Sequence, residues 1–352
     1  MNGSTLLQST AAGLYCPGGD FHIDPWLPVP RAVITHAHSD HLRWGCGHYL
    51  VAAEGLAVTR ARLEPDASVQ AVPYGEAVRF GGVQVSLHPA GHILGSAQVR
   101  VEERGEVWVV SGDYKREPSP TCAPFEPLRA HTFVTESTFG LPIFRWEPER
   151  EVFDAINAWW RANAAVGRAS LLYGYALGKA QRLLAGVDAG IGPIYTHGAV
   201  ERLNEVYRAE GITLPDTVPV STMPARAGVW GGALIVAPPS AHGSPWTRRF
   251  GEASTAFASG WMRIRGTRRR RAVDRGFVLS DHADWPGLLE TISETGAERV
   301  WVTHGYSATL AQLLRERGLD AAAIATQAAG EQDDMVEAIA QSEGSDAGAA
   351  AG

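Results

Sequence analysis

The segment Thr35-His-Ala-His-Ser-Asp-His41 sets three imidazoles and one carboxylate within the six residues His36 to His41. A packed core has no use for so many polar rings side by side. Neutral imidazole and carboxylate are, however, the ligand types of Zn²⁺, Mn²⁺ and Fe. The preceding Arg31-Ala-Val-Ile-Thr35 predicts a short buried strand, so these donors leave its carboxyl end on a loop held by a rigid scaffold. Further donors follow other predicted strands. His92 lies in Pro89-Ala-Gly-His-Ile-Leu-Gly-Ser96 after the strand 83–88, Asp113 follows 107–111, and His304 follows 299–303. Val302-Thr303-His304 repeats the pattern of Ile34-Thr35-His36. A carboxylate closing an apolar strand is costly unless it meets a cation, which marks Asp113. The donors resolve into two expected metal sites. His36, His38 and His92 form one, Asp40, His41 and His304 the other, and Asp113 bridges them. Asp24, before Pro25, is either an acceptor that orients a ligand imidazole or an ordinary turn residue.

Two more residues end strands without fitting the ligand set. Glu136 sits in Val134-Thr-Glu-Ser-Thr-Phe-Gly140 and His282 in Leu279-Ser-Asp-His-Ala-Asp284. A carboxylate–imidazole pair at the rim of a two-metal site can hold a protonated His against a leaving oxygen or a phosphate. Glu136, His282 and Asp40 are therefore the expected catalytic residues. His22, His48, His88 and His131 read as structural or surface residues. His197 and His242 do so by default and are the best candidates among these for lining a substrate groove.

Positioning these residues needs a large α/β scaffold, and 352 residues with 45% apolar content can build one. The net charge of −7 does not advertise a polyanion partner across the whole surface. Locally it does, since Arg263, Arg265, Arg268, Arg269, Arg270, Arg271 and Arg275 crowd into thirteen residues. Only Lys115 and Lys179 are lysines. Three isolated cysteines, Cys16, Cys46 and Cys122, form no C-x-x-C pair, which argues against a disulfide framework or a Cys-type zinc site. No secretory signal and no apolar run near the ~20 residues of a membrane span is evident. A cytoplasmic protein without a membrane association is the expectation.

Along the chain, residues 1–140 read as strand-rich, and 141–272 as an inserted layer of alternating strands and helices, which predicts a parallel sheet. The first style resumes over 273–335, opening on a strand at 276–280. Residues 336–352 have a composition expected to be disordered.

The set Thr35–His41, His92, Asp113 and His304 resembles the metallo-β-lactamase superfamily. Glu136 in Thr-Glu-Ser-Thr-Phe-Gly, His282 in Ser-Asp-His-Ala-Asp and His304 in Thr-His-Gly look like the extra motifs of its β-CASP nucleases. Tyr173-Gly-Tyr-Ala-Leu-Gly-Lys-Ala-Gln-Arg-Leu-Leu184 is similar to the segment that opens the inserted β-CASP domain. The resemblance covers about residues 15–320. The length and Ser259-Gly-Trp-Met-Arg263 look most like the bacterial subgroup of DNA-ligase-associated exonucleases. The resemblance implies an αββα sandwich with an inserted α/β domain, two divalent ions (Zn or Mn), and a nucleic-acid substrate. It also implies a functional association with a DNA ligase. His304 stands where RNA-type members carry His and many DNA-type members do not, so single- or double-stranded DNA and RNA both stay open as substrates.

The expected chemistry is hydrolysis of a phosphodiester, with water readied between two metals roughly 3.5–4 Å apart. His282, oriented by Glu136, would protonate the departing sugar oxygen or grip the phosphate. Lys179, Arg263, Arg265 and Arg268 are the expected contacts to backbone phosphates, which position a strand without reading its sequence. A small-molecule ester or thioester hydrolase on the same fold is the rival reading. It needs the metal ligands but neither Glu136, His282 nor the insertion.

Overall fold

In the strand Glu106–Val110, Trp108 and Val110 join one apolar layer and Val109 joins another. Alternation with both faces apolar is the pattern of a strand covered on both sides. The computed structural model of the chain describes residues 5–223, 229–264, 266 and 272–324. They gather into two units, one built from residues up to Arg145 and from His282 onward, the other from residues 146–281. The expected tail 336–352 lies outside the described residues.

The first unit holds two sheets. One runs in the order Gln8–Thr10, Gly13–Cys16, Phe21–Ile23, Arg31–Val33, His48–Ala52, Val69–Val72, antiparallel at first and parallel from Phe21–Ile23 on. The other runs Asp320–Ala323, Arg299–Thr303, Thr132–Glu136, Glu106–Val110, Ala97–Glu103, Val83–Pro89, Ala77–Phe80. Its first four strands are parallel and the rest antiparallel. One apolar layer joins residues of both sheets, including Phe21, Val33 and Leu50 with Val85, Val101 and Trp108. On the other face of the longer sheet, Val109, Phe133 and Val300 pack with Leu288, Ile292, Leu310 and Leu314 of the helices Trp285–Thr295 and Ser307–Glu316.

Strand direction places the candidate donors. Thr132–Glu136, Glu106–Val110 and Arg299–Thr303 run parallel. Two antiparallel steps through Ala97–Glu103 bring Val83–Pro89 back to the same direction. All four donor-bearing strands of this sheet therefore open their carboxyl ends on one edge, the edge where α/β folds hold ligands.

The second unit is a parallel sheet in the order Val218–Pro219, Ile194–Thr196, Leu234–Ala237, Ser170–Tyr173, Ser254–Ala258, Arg275–Phe277. Its helices include Glu149–Ala165, Lys179–Gly186 and Gly198–Ala209. In the first of these, Ile156, Trp159 and Trp160 are buried at helical spacing. One structural detail departs from the sequence expectation. The strand expected at 276–280 as a return to the first domain is Arg275–Phe277, and it pairs with Ser254–Ala258 at the edge of the parallel sheet. The second unit therefore spans 146–281 instead of 141–272. The reason is pairing: the register with Ser254–Ala258, a strand the residue pattern does not announce, claims this short segment. Among the described residues no helix is long and apolar enough to cross a membrane.

The loop between Pro89 and Ala97 depends on glycine. Gly95 has φ +73°, and a Cβ there would lie 1.9 Å from Gly55 Cα. Gly95→Ala is thus expected to destabilise the protein by more than about 2 kcal/mol in urea unfolding. Gly105→Ala, with φ +86° but nothing within 4 Å of the added carbon, is the control and should cost only about 1 kcal/mol.

Candidate metal centre

The Thr35–His41 loop is held from below by Asp24. Asp24 Oδ1 accepts the Thr35 amide at 2.8 Å, and Oδ2 accepts the Thr35 hydroxyl at 2.6 Å. The same Oδ2 lies 2.7 Å from His41 Nδ1. Of the two readings of Asp24, the acceptor that orients an imidazole is the geometry found. Asp24 has φ +44°, a left-handed conformation that Asp tolerates better than most residues. With Nδ1 turned to Asp24, His41 Nε2 faces the carboxylates Asp40 Oδ2 and Asp113 Oδ2, each 3.5 Å away. A turn folds the loop back, since the His38 carbonyl accepts from the amides of His41 and Leu42 at 3.1 and 2.8 Å.

His92 arrives on a loop closed by Ser96, whose hydroxyl accepts the amides of His92 and Ile93 at 3.0 and 3.2 Å. The Ala97 amide donates to the Thr35 carbonyl at 2.7 Å and ties this loop to the first. Asp113 follows Gly112, which has φ +55° and whose missing Cβ would sit 2.6 Å from Thr35 Cβ. Only glycine lets the two donor-bearing segments approach this closely. His304 also has a positive φ, +53°, and its Nδ1 lies 2.5 Å from the Thr303 hydroxyl.

The sequence-predicted donors converge. His36, His38, His92 and Asp113 form one group and Asp40, His41 and His304 another, with one potential ligand atom from each residue within 4.8 Å of the others in its group. His38 Nδ1 lies 3.0 Å from His36 Nε2 and 3.1 Å from His92 Nε2. Asp113 Oδ2 faces His36, His41, His92 and His282 at 3.6, 3.5, 3.8 and 3.9 Å. It belongs at once to the first group and to the border of the second. A third group, Asp113, Glu136 and His282, adjoins them. His282 Nδ1 lies 2.8 Å from Glu136 Oε2, and Glu136 Oε1 accepts the Tyr114 amide at 2.8 Å. The His282 segment is pinned on its far side by the Ala283 amide on the Tyr114 carbonyl and by Asp284, which caps the following helix through the Gly287 amide.

Electrostatics favour a cation here. Burial, with His41, His38 and His92 nearby, holds His36 well below the usual histidine range, so it offers a lone pair at neutral pH. Burial and His41 lower His304 to about 4. His41 goes the other way: burial would lower it, but Asp40, Asp113 and Asp24 outweigh burial and push it well up. Burial likewise opposes ionisation of Asp113, yet His41 and His282 hold it well below the carboxylate range. Glu136 is raised, by burial first. His41 Nε2 is buried and makes no hydrogen bond among the described residues. The neutral His36 and His304, the ionised Asp113 and the buried His41 Nε2 facing two carboxylates form a donor set that fits Zn²⁺ or Mn²⁺. A cavity of about 40 Å³ touches Asp24, His41 and His304 and is otherwise lined mainly by apolar side chains such as Leu14, Ile23 and Trp26. It is far below the roughly 300 Å³ of a small-molecule site.

The expected substrate contacts fare differently. Lys179 is fully buried in the second unit, its Nζ 2.8 Å from the Leu279 carbonyl and 2.9 Å from Asp281 Oδ2. It is an internal ion-pair residue and cannot touch a passing strand. Arg263 is exposed and lies 3.4 Å from Glu147 Oε1. Arg265 and Arg268 lie outside the described residues, as do Arg269, Arg270 and Arg271. His197 caps the helix Gly198–Ala209 by accepting the Ala199 amide, and His242 packs edge-on against Tyr173. Thr35 and Thr303 are functional neighbours that the residue pattern did not single out. The signal was present, because both immediately precede a donor histidine in the repeated Thr-His pair.

No family model matches the chain. It is 34% identical over 315 residues to a protein of Opitutus terrae named probable DNA ligase, covering 89% of this chain and 30% of that one. It is 28% identical over 185 residues to cleavage and polyadenylation specificity factor 73 of Drosophila melanogaster, covering 48% of this chain and 27% of that one. It is also 30% identical over 139 residues to endoribonuclease YSH1 of Saccharomyces cerevisiae, covering 38% and 17%. The chain thus spans less than a third of the length of these relatives. Among solved structures, a protein of unknown function from Enterococcus faecalis V583 shares the fold, with a TM-score of 0.56 at 12% identity over 86% of this chain and 80% of that one. Taken with the donor order along the chain and the mixed α/β architecture, these relatives make the chain a member of the β-CASP family of the metallo-β-lactamase superfamily.

Proposed function

We propose that the chain is a metal-dependent phosphodiesterase acting on nucleic acid, and specifically a DNA exonuclease of DNA repair. The observation that carries the reading is the Asp113 carboxylate oxygen set among His36, His41, His92 and His282. One residue then serves both metal groups and borders the Glu136–His282 pair. In this reading His36, His38 and His92 hold one ion, Asp40, His41 and His304 hold the other, and Asp113 meets both. Such ions supply a water acidic enough to attack at neutral pH, lowering its pKa to about 7, and neutralise the phosphate oxygens.

The protein's own residues do the rest. Asp24 fixes the His41 ring through Nδ1 and so aims Nε2 inward. Glu136 holds His282 Nδ1, which leaves Nε2 as the atom that gives its proton to the departing sugar oxygen. Asp40 orients and neutralises the second group. In this reading the exposed Arg263 contacts backbone phosphate, whereas the buried Lys179 has no part in binding.

DNA is favoured by the relative named probable DNA ligase, because that likeness covers 89% of the chain. It also motivates a functional association with ligation: a stretch like this chain makes up 30% of that polypeptide. The second reading, an RNA-processing nuclease, is supported by the likeness to endoribonuclease YSH1, which covers 38% of the chain.

Digestion of end-labelled DNA and RNA of one sequence, with Zn²⁺ and with Mn²⁺, tests the substrate. Progressive shortening of DNA from an end is expected, abolished by a chelator; cutting of RNA alone would establish the second reading instead. Asp113→Ala should lose metal and activity together, with elemental analysis falling from two ions per chain. His282→Ala should keep both ions and lose about 10²- to 10⁴-fold in kcat. Loss of metal from His282→Ala would show that this ring is a ligand and sink the proton-donor assignment.

A further inference from the structure

Of the eleven tryptophans in the chain, Trp44 is the only one the fold leaves exposed, at 59%. It stands three residues beyond His41, on a loop that is anything but loose. The buried Tyr49 hydroxyl donates to the Arg43 carbonyl at 2.7 Å and accepts the Cys46 amide at 3.0 Å. The Cys46 thiol approaches the same Arg43 carbonyl at 3.6 Å, and the Gly47 amide donates to the Val29 carbonyl at 2.9 Å. Gly45 adopts φ +79°, and the position of its missing Cβ lies 3.6 Å from Pro28. The turn is therefore clamped from both sides while its tip presents an indole to water. Leu27, which precedes Pro28, is also exposed. Arg43 beside it is exposed, and its side chain forms no ion pair among the described residues.

A rigid indole and a free guanidinium at adjacent positions match the two faces of a nucleotide. The ring stacks on a base of any identity, and the cation meets the neighbouring phosphate. An indole wanted only for folding would be buried, as Trp108 and Trp160 are at 0% exposure. We propose that Trp44 is a stacking platform for an unpaired base of the strand entering the metal centre, with Arg43 contacting the adjoining phosphate. Trp44 would thus be a positioning residue that sets how the strand lies over the donors. The proposal rests on the nuclease reading above.

The test uses the metal-loaded protein and a labelled single strand of whichever polymer the wild type cleaves, beside methyl p-nitrophenyl phosphate, a phosphodiester with no base. Trp44→Ala is expected to raise KM for the strand about tenfold with kcat nearly unchanged, and Trp44→Phe to restore most of the loss. Turnover of methyl p-nitrophenyl phosphate should be the same in all three proteins, and so should metal content. A strand whose bases are replaced by abasic sites should no longer distinguish Trp44→Ala from the wild type. An unchanged KM for the strand overturns the platform. Equal losses on both substrates overturn it too, because they reveal only damage to the His41 loop. A wild type that hydrolyses methyl p-nitrophenyl phosphate but cuts neither DNA nor RNA defeats the nuclease reading itself, a result read without any Trp44 variant.

Discussion

The fold is organised around one buried carboxylate oxygen. Asp113 Oδ2 sits with four imidazole rings 3.5–3.9 Å away, and the residue is only 6% exposed. A carboxylate taken out of water is strongly disfavoured unless partners offset the loss. Those partners arrive from three segments of the chain, the Thr35–His41 loop, the His92 loop and the His282 segment, so the requirement acts on backbone placement throughout the first unit. It explains why Gly112 precedes Asp113, where a side chain would collide with Thr35. It also explains the value of a sheet whose donor-bearing strands share one direction, since a reversed strand would deliver its carboxyl end to the opposite edge.

The centre is assembled across long stretches of chain. Glu136 and His282 are 146 positions apart in sequence yet joined at 2.8 Å. His92 Nε2 and His38 Nδ1 are separated by 54 positions and lie 3.1 Å apart. Contacts of this range form only once the sheets have paired. The second unit interrupts the chain between Arg145 and His282, while every donor of the metal groups belongs to the first unit. Among the described residues the insertion therefore contributes no ligand to these groups. That division lets binding vary while the donor geometry stays fixed, which is the usual separation of scaffold and site.

Much of this was legible in the residues, for physical reasons. A cluster such as His36–His41 has no packing use, so its chemistry shows without a structure. Asp113 and His304 were readable because each closes an apolar strand, where a polar donor is out of place unless it has work to do. The groups they form with His36, His38, Asp40, His41 and His92 then follow from the edge those strands share. Strand partnership was not legible. Gln8–Thr10 and Val218–Pro219 are too short to carry a period, and Arg275–Phe277 joins whichever sheet presents a compatible edge. Asp24 stayed ambiguous for a different reason: a turn residue and an imidazole orienter look alike until the His41 ring is seen beside it.

Lys179 shows why a charge in a motif-like segment is a poor guide to substrate contact. Both lysines of the chain are buried, Lys115 at 2% and Lys179 at 0% exposure. Lys179 shares the Asp281 carboxylate with Arg182, whose guanidinium also reaches Glu149 at 2.9 Å. Two cations and two carboxylates in a dry environment form a network in which removing one member strands the others, so its members are fixed by their neighbours and not by a ligand. Asp281 immediately precedes His282 in the chain. Lys179, expected as a phosphate contact, thus holds the backbone at the residue before His282, and in the proposed function contact with a polyanion falls to arginines on the surface. Arginine suits that task, because its planar fork meets a phosphate with two hydrogen bonds where an ammonium offers a point charge.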